Sequence, residues 1–156
     1  MKDPNFFVIG APKCGTTSLA TWLSCHPQVF MSPVKEPHYF SFDFSRGNIH
    51  DIDEYRQLFA GAPAECLAVG EASTEYLFSD VAVKEIERQF PGARYIVMVR
   101  SPVDLAFSLY KYEKAGGREV ASTFEEAWRR SPERRRGEWV GKWCSDPKCL
   151  DYQMVA

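Results

Sequence analysis

Short apolar runs alternate with stretches of helical period along this chain, and the alternation predicts its elements. Phe6-Phe7-Val8-Ile9 reads as a short buried strand, closed by Gly10-Ala11-Pro12. Thr17 to Cys25 reads as a helix with Leu19, Trp22 and Leu23 on one face, ended by His26-Pro27. Val29-Phe30-Met31 is a second short apolar run, followed by a loop through Pro33 and Pro37. A helix over Ile52 to Phe59 and a third strand over Leu67-Ala68-Val69-Gly70 come next.

The second half repeats the alternation. A helix from about Asp80 to Phe90 should turn Val81, Ile86 and Phe90 inward, and Pro91-Gly92 stops it. Arg94-Tyr95-Ile96-Val97-Met98-Val99-Arg100 is the strongest strand signal, continuous and β-branched, as expected of a strand covered on both faces. Ser101-Pro102-Val103-Asp104 starts a helix, with Ser at the N-cap and Pro at the first helical position, running to about Lys114 before Gly116-Gly117. A further helix is predicted from Thr123 to Arg130. Strands alternating with helices imply parallel βαβ units, hence an α/β fold in three layers with a central parallel sheet flanked by helices. At 156 residues the chain fits one domain, 1–156.

Composition narrows the chemistry. The chain is 45% hydrophobic and 26% charged, with a net charge of -2, so nothing draws it globally to nucleic acid or an anionic membrane. An anionic ligand would need positive charge gathered locally. The apolar run after Met1-Lys2-Asp3-Pro4 is too short for a signal peptide or a membrane span, and no other stretch approaches spanning length. A cytoplasmic protein is expected, and a catalytic domain cut from a luminal protein would read the same way. Cys14, Cys25, Cys66, Cys144 and Cys149 are scattered, with three histidines and no zinc-ligand spacing, so no metal site is expected. Cys144 and Cys149 could close a small disulfide loop; free thiols are the preferred reading.

The first strand feeds a small-residue turn, Pro12-Lys13-Cys14-Gly15-Thr16-Thr17-Ser18, and then a helix. Helix N-termini carry free N–H groups and a partial positive charge, so an anion is stabilised there. Gly15 permits close approach of the backbone, Lys13 adds a full charge, and Thr16, Thr17 and Ser18 add hydroxyls. Each charge-assisted hydrogen bond is worth roughly 1.5–3 kcal/mol. Gly10 and Gly15 have the spacing of a nucleotide P-loop, so the fold is expected to be P-loop-like, but Thr16 replaces its lysine and Lys13 lies three residues earlier. That departure argues against an ordinary kinase or ATPase. Arg100 ends the strongest strand, at the carboxyl edge where open α/β sheets bind ligands, and Ser108 lies about two turns into the next helix. An arginine there can fork onto a phosphate while the serine donates a hydroxyl to it.

Together these segments resemble a known family. Gly10-Ala11-Pro12-Lys13-Cys14-Gly15-Thr16-Thr17-Ser18-Leu19 looks like the 5′-phosphosulfate-binding loop of sulfotransferases. Val99-Arg100-Ser101-Pro102-Val103-Asp104 through Ser108-Leu109-Tyr110 is similar to their 3′-phosphate-binding strand and helix. Between them, Lys35-Glu36-Pro37-His38-Tyr39-Phe40 and Gly70-Glu71-Ala72-Ser73-Thr74-Glu75-Tyr76-Leu77 resemble the branch of heparan-sulfate and related bacterial sulfotransferases.

The resemblance implies sulfuryl transfer from 3′-phosphoadenosine 5′-phosphosulfate (PAPS) to an acceptor hydroxyl or amine, with carbohydrate among the acceptors, leaving the product PAP. Glu36 matches the family's catalytic base, and Lys13 should neutralise charge on the leaving phosphate. The cofactor site would be Lys13, Cys14, Gly15, Thr16, Thr17 and Ser18, with Arg100 and Ser108 on the 3′-phosphate. His38 is the runner-up base. Ala72 stands where some carbohydrate sulfotransferases carry a lysine, and Leu105 where many relatives have arginine. The family's domain normally continues past the equivalent of Ala156, so the chain is expected to lack a C-terminal part. A non-catalytic PAP-binding module and, third, a nucleoside kinase are the rivals. Arg129-Arg130 and Arg134-Arg135-Arg136, among Glu125, Glu126, Glu133 and Glu138, read as a solvated mixed-charge helix face, with an acceptor-docking surface as the alternative.

Overall fold

In the computed structural model of the chain, which describes residues 2–44, 49–138 and 150–155, four strands form one parallel sheet in the order β2-β3-β1-β4. They are β1 (Phe6–Gly10), β2 (Val29–Met31), β3 (Ala68–Ala72) and β4 (Arg94–Val97). Three helices accompany them: α1 (Thr16–Ser24), α2 (Ile52–Gln57) and α3 (Ala82–Gln89). Residue contacts divide the chain into two compact units, Met1–Val99 and Arg100–Ala156, and each is taken by itself.

The strand period explains the layers of the first unit. Successive side chains of β1 alternate faces: Phe6 and Val8 pack with Ala72, Leu19, Ala20 and Leu23, whereas Phe7 and Ile9 join Phe40, Tyr55, Phe59, Ile86 and Phe90. One face of the sheet is therefore aliphatic and carries α1, and the other is an aromatic cluster. Phe7, fully buried, meets Phe40 edge-on at 6.1 Å and stacks with Phe90 and Tyr95 at 6.3 and 6.2 Å. From β1 the chain crosses to β2 on one side, and from β3 it crosses to β4 on the other, so the direction of winding reverses between β1 and β3. Open parallel sheets bind ligands beyond the carboxyl ends of strands at such a reversal.

Three expectations are corrected. Trp22 is 71% exposed, because the side of α1 that meets the sheet runs through Thr16, Leu19, Ala20 and Leu23, and position 22 lies off that stripe. The strand over Arg94–Arg100 is shorter and barer than its apolar run predicts. It ends at Val97, lies at the sheet's edge among the described strands, and leaves Val99 84% exposed. A register shift between Val8 and Gly10 accompanies that early end. Backbone pairing still continues past it, from Met98 N–H to Gly10 O at 2.8 Å and from Ala11 N–H to Met98 O at 2.9 Å. Third, the solvated-face reading of the arginine run fails at Arg134, which is fully buried.

The second unit is helical: α4 (Pro102–Ala115), α5 (Phe124–Arg129), α6 (Ser131–Arg135) and α7 (Tyr152–Val155). Pro102 holds the first helical position of α4, and Thr123 Oγ1 caps α5 by accepting from Glu126 N–H at 3.2 Å. Ala106, Leu109, Tyr110, Ala127, Leu150 and Tyr152 form its core. Arg130 pairs with Glu126 at 2.8 Å, Arg136 with Glu138 at 2.9 Å, and Arg135 with buried Asp151. Arg134 donates through one nitrogen to Glu119, which also accepts from Tyr152, and through another to the carbonyls of Ala127 and Leu150. The basic run is largely absorbed within the unit. Cys14, Cys25 and Cys66 form no disulfide among the described residues; Cys144 and Cys149 lie outside them. No helix among the described residues is long and apolar enough to cross a membrane.

Candidate active site

The loop after β1 is shaped by two backbone constraints. Gly15 caps α1 at φ 87°, the left-handed region that glycine enters without steric cost, and Lys13 before it stands at φ 63°. The first turn of α1 then begins with Thr16, Thr17 and Ser18, and no acidic residue shares it. Gly15 brings no side chain to cap those N–H groups, and the first turn itself carries no carboxylate to compete for the positive end of the helix. Thr17 and Ser18 are exposed and Lys13 is half-buried, while Thr16 and Cys14 are buried. Cys14 N–H bonds to Ala11 O at 3.3 Å, so it braces the turn rather than facing outward. The chemistry of this donor set fits a phosphate or phosphosulfate: N–H groups, hydroxyls and an ammonium.

Glu36 is held from the loops after β2 and β3. Its N–H donates to Ala72 O at 3.0 Å. Its carboxylate Oε2 accepts from Thr74 N–H at 2.9 Å, and Thr74 Oγ1 lies 3.3 and 3.2 Å from its two oxygens. The ammonium of Lys35 pairs with Oε1. Glu36 and His38, on either side of Pro37, both take positive φ, 57° and 53°. Such residues cost about 1–3 kcal/mol each and persist only where the surroundings over-determine them. The result here is that two side chains two residues apart converge, with His38 Nε2 3.2 Å from Glu36 Oε2. His38 is buried, and its Nδ1 lies 3.6 Å from Glu75 Oε2.

Behind this pair sits a carboxylate the sequence analysis did not single out. Glu71 pairs across the ladder with Phe7 and points into the aromatic side of the sheet, fully buried. Ser73 Oγ donates to its Oε2 at 2.8 Å and Tyr55 OH to its Oε1 at 3.4 Å, with Tyr76 contributing another hydroxyl. Burial outweighs those hydrogen bonds, and the nearby Glu36 charge adds to it, so Glu71 is pushed up to about 7. The same burial, with Glu71 alongside, raises the phenols of Tyr55 and Tyr76 well above the usual tyrosine value. Ser73 links the layers, accepting from His38 N–H at 3.1 Å while donating to Glu71.

The structure joins the loop to the Glu36 anchor through Gly10. A β-carbon at Gly10 would come within 2.8 Å of Leu77 Cβ and 3.1 Å of Thr74 O, so only glycine lets the turn carrying Thr74 close over the end of β1. Thus Lys13, Cys14, Gly15, Thr16, Thr17, Ser18, Glu36 and His38 belong to one unit. Arg100, exposed, and Ser108, half-buried on α4, belong to the other. Glu71, Ser73, Thr74, Glu75 and Tyr76 are the additions; their only sequence signal was the stretch Gly70–Leu77, two carboxylates and three hydroxyls right after a strand. Among the described residues no group of three or more His, Cys, Asp or Glu is placed to hold a metal ion.

Comparison with known proteins bears on this arrangement. The family model described as "Sulfotransferase domain" matches residues 3–135. Human carbohydrate sulfotransferase 15 is 30% identical over 165 residues, covering 79% of this chain and 29% of that protein. The bovine bifunctional heparan sulfate N-deacetylase/N-sulfotransferase 2 is 32% identical over 124 residues, covering 78% of this chain and 14% of that protein. A crystal structure of a sulfotransferase from Alicyclobacillus acidocaldarius superposes with a TM-score of 0.86 at 36% identity, covering 99% of this chain and 64% of that one. The chain thus spans under a third of the two animal relatives and about two thirds of the bacterial one.

Proposed function

The chain belongs to the sulfotransferase domain family, and from that premise we propose that it moves a sulfuryl group from PAPS to an acceptor hydroxyl or amine on a carbohydrate. The observation that carries the reading is the presentation of Glu36. Thr74 holds its carboxylate with two donors beside a turn that also braces the end of β1. A fixed, partly exposed carboxylate suits a general base, which must take the acceptor's proton as its oxygen or nitrogen attacks.

When bound, PAPS supplies the sulfuryl group and a phosphate that leaves with the electron pair. The donors of the first turn of α1, with Thr17 and Ser18 exposed there, would hold the 5′ end. Lys13 would place its ammonium against the leaving phosphate. Arg100 and Ser108 are assigned the 3′-phosphate on their sequence motif. The family match runs across both units, which supports reading 1–156 as part of one sulfotransferase domain. The names of the relatives support a carbohydrate acceptor.

Calorimetric titration with PAP against ATP·Mg²⁺, followed by turnover assays on Glu36→Gln, tests the proposal. PAP should bind in preference to ATP, and Glu36→Gln should lose about 10²–10⁴-fold in kcat with PAP affinity unchanged. Full activity in Glu36→Gln overturns the base. Preference for ATP·Mg²⁺ restores the kinase reading, and PAP binding without transfer to any acceptor makes the chain a binding module.

A further inference from the structure

We propose that Glu75 is a positioning residue for the base, holding His38 through Nδ1 so that Nε2 of the same ring receives the proton Glu36 has taken from the acceptor. The inference rests on the reading of Glu36 as general base. Its own foundation is the geometry around His38, which no motif assigned to Glu75.

His38 is buried between two carboxylates, 3.2 Å from Glu36 Oε2 on one nitrogen and, at ion-pair rather than hydrogen-bond distance, 3.6 Å from Glu75 Oε2 on the other. Its backbone is fixed by the bond to Ser73 Oγ, and the Tyr76 ring meets it edge-on at 6.5 Å. The ring is thus confined on several sides, and its two nitrogens face different acids. Among the described residues, Lys35 pairs with the far oxygen of Glu36, and Glu71 is linked to the His38 backbone through Ser73. Glu75 itself is buried in the first turn of the short 3-10 helix Thr74–Leu77, directly after the residue that anchors Glu36.

The proton balance is simple. The acceptor's O–H or N–H bond breaks as an O–H bond forms on Glu36. Glu36 then passes that proton to His38 Nε2, and the ring, carrying its other proton at Nδ1 toward Glu75, becomes an imidazolium between two carboxylates. A carboxylate on one nitrogen that fixes the tautomer and supports the charge appearing on the other is the logic of the hydrolase triads. Glu36 is left ionised, and the imidazolium releases its proton to solvent before the next turnover, so no reactant besides water is required.

The test begins on the wild-type protein, by ¹⁵N NMR of the His38 ring across pH. Expected is a neutral ring with its proton on Nδ1; a ring protonated only on Nε2 overturns the proposal. Glu75→Gln should lower the midpoint of the ring's titration by about one unit, a ten-fold change in proton affinity. An unmoved midpoint overturns it too. In turnover, Glu75→Gln should lose about ten-fold in kcat and shift the acid limb of the pH–rate profile, with PAP affinity unchanged. In a His38→Gln background it should cost nothing further, since coupled residues are not additive; an equal loss there means Glu75 acts by another route. The NMR measurements stand whether or not the chain transfers sulfuryl groups, so failure of the relay and failure of the sulfotransferase reading give different results.

Discussion

Glu71 in the first unit and Glu119 in the second both have side chains shut away from water, yet they are kept there by different partners. Around Glu71 stand the hydroxyls of Ser73, Tyr55 and Tyr76, neutral donors that do not cancel its charge. Facing Glu119 is the guanidinium of Arg134 at 2.5 Å, itself fully buried, with the Tyr152 hydroxyl completing the set. Glu113 repeats the second pattern with Arg118, and Asp151 repeats it with Arg135. Hydroxyls satisfy lone pairs but leave desolvation to dominate, so Glu71 holds its proton up to about 7. A guanidinium supplies the missing charge and leaves an ion pair whose work is to fix α6 against the segment around Glu119 and Leu150. A buried acid with neutral partners lies behind the candidate base, and buried acids with arginine partners hold the helical unit together.

The sharpest way to break this contrast is Arg134→Ala. It strands Glu119 without a counter-charge, and removing one member of a buried pair costs about 3–5 kcal/mol. Urea denaturation of the full chain should show that loss; a shift below about 1 kcal/mol would put Arg134 with surface pairs.

Next comes the pH dependence of Glu71. Its proton is held in the folded state up to about 7, against an ordinary value of 4.5, so folding binds a proton between those limits. The associated stability is fully present below about 4.5 and is lost as pH rises through about 7. The shift is worth roughly 3 kcal/mol across that window. Glu71→Gln, which keeps the shape and cannot ionise, should flatten that slope, gaining on the wild type at pH 8 relative to pH 5. An unchanged slope would show that Glu71 does not titrate there. The smallest effect belongs to exposed Arg136, whose pairing with Glu138 is screened by solvent; Arg136→Ala measured in the same denaturation assay should shift stability least and sets the baseline for the other two.

How much of this was legible in the sequence varies from residue to residue. β1, its turn and α1 were readable because an apolar run, two glycines and a helical period fall in succession between Phe6 and Ser24. Glu36 was readable only through its motif; the φ values at Glu36 and His38 that aim it are not written in propensities. Trp22 misled because large aromatics are usually inside, and the face of α1 is set by what the sheet offers. Glu71 was hidden for a deeper reason. The apolar run Leu67–Gly70 stops short of it, and only the extension of β3 to Ala72, with Glu71 in register opposite Phe7, puts it among aromatics. Arg134 was hidden likewise, inside an arginine run that reads as a charged surface until Glu119, fifteen residues away, closes over it.

Gly10 sets a limit on how freely this site can be remodelled. Because any side chain there must push aside Leu77 or the carbonyl of Thr74, the turn that steadies Glu36 and the strand end that launches the Lys13 loop move as one mechanical piece. A library that shifts the Thr74 turn to widen the proposed acceptor side will therefore disturb the proposed cofactor loop as well. The two are geared together, and changes to one will be inherited by the other unless position 10 stays glycine and the turn stays where it is.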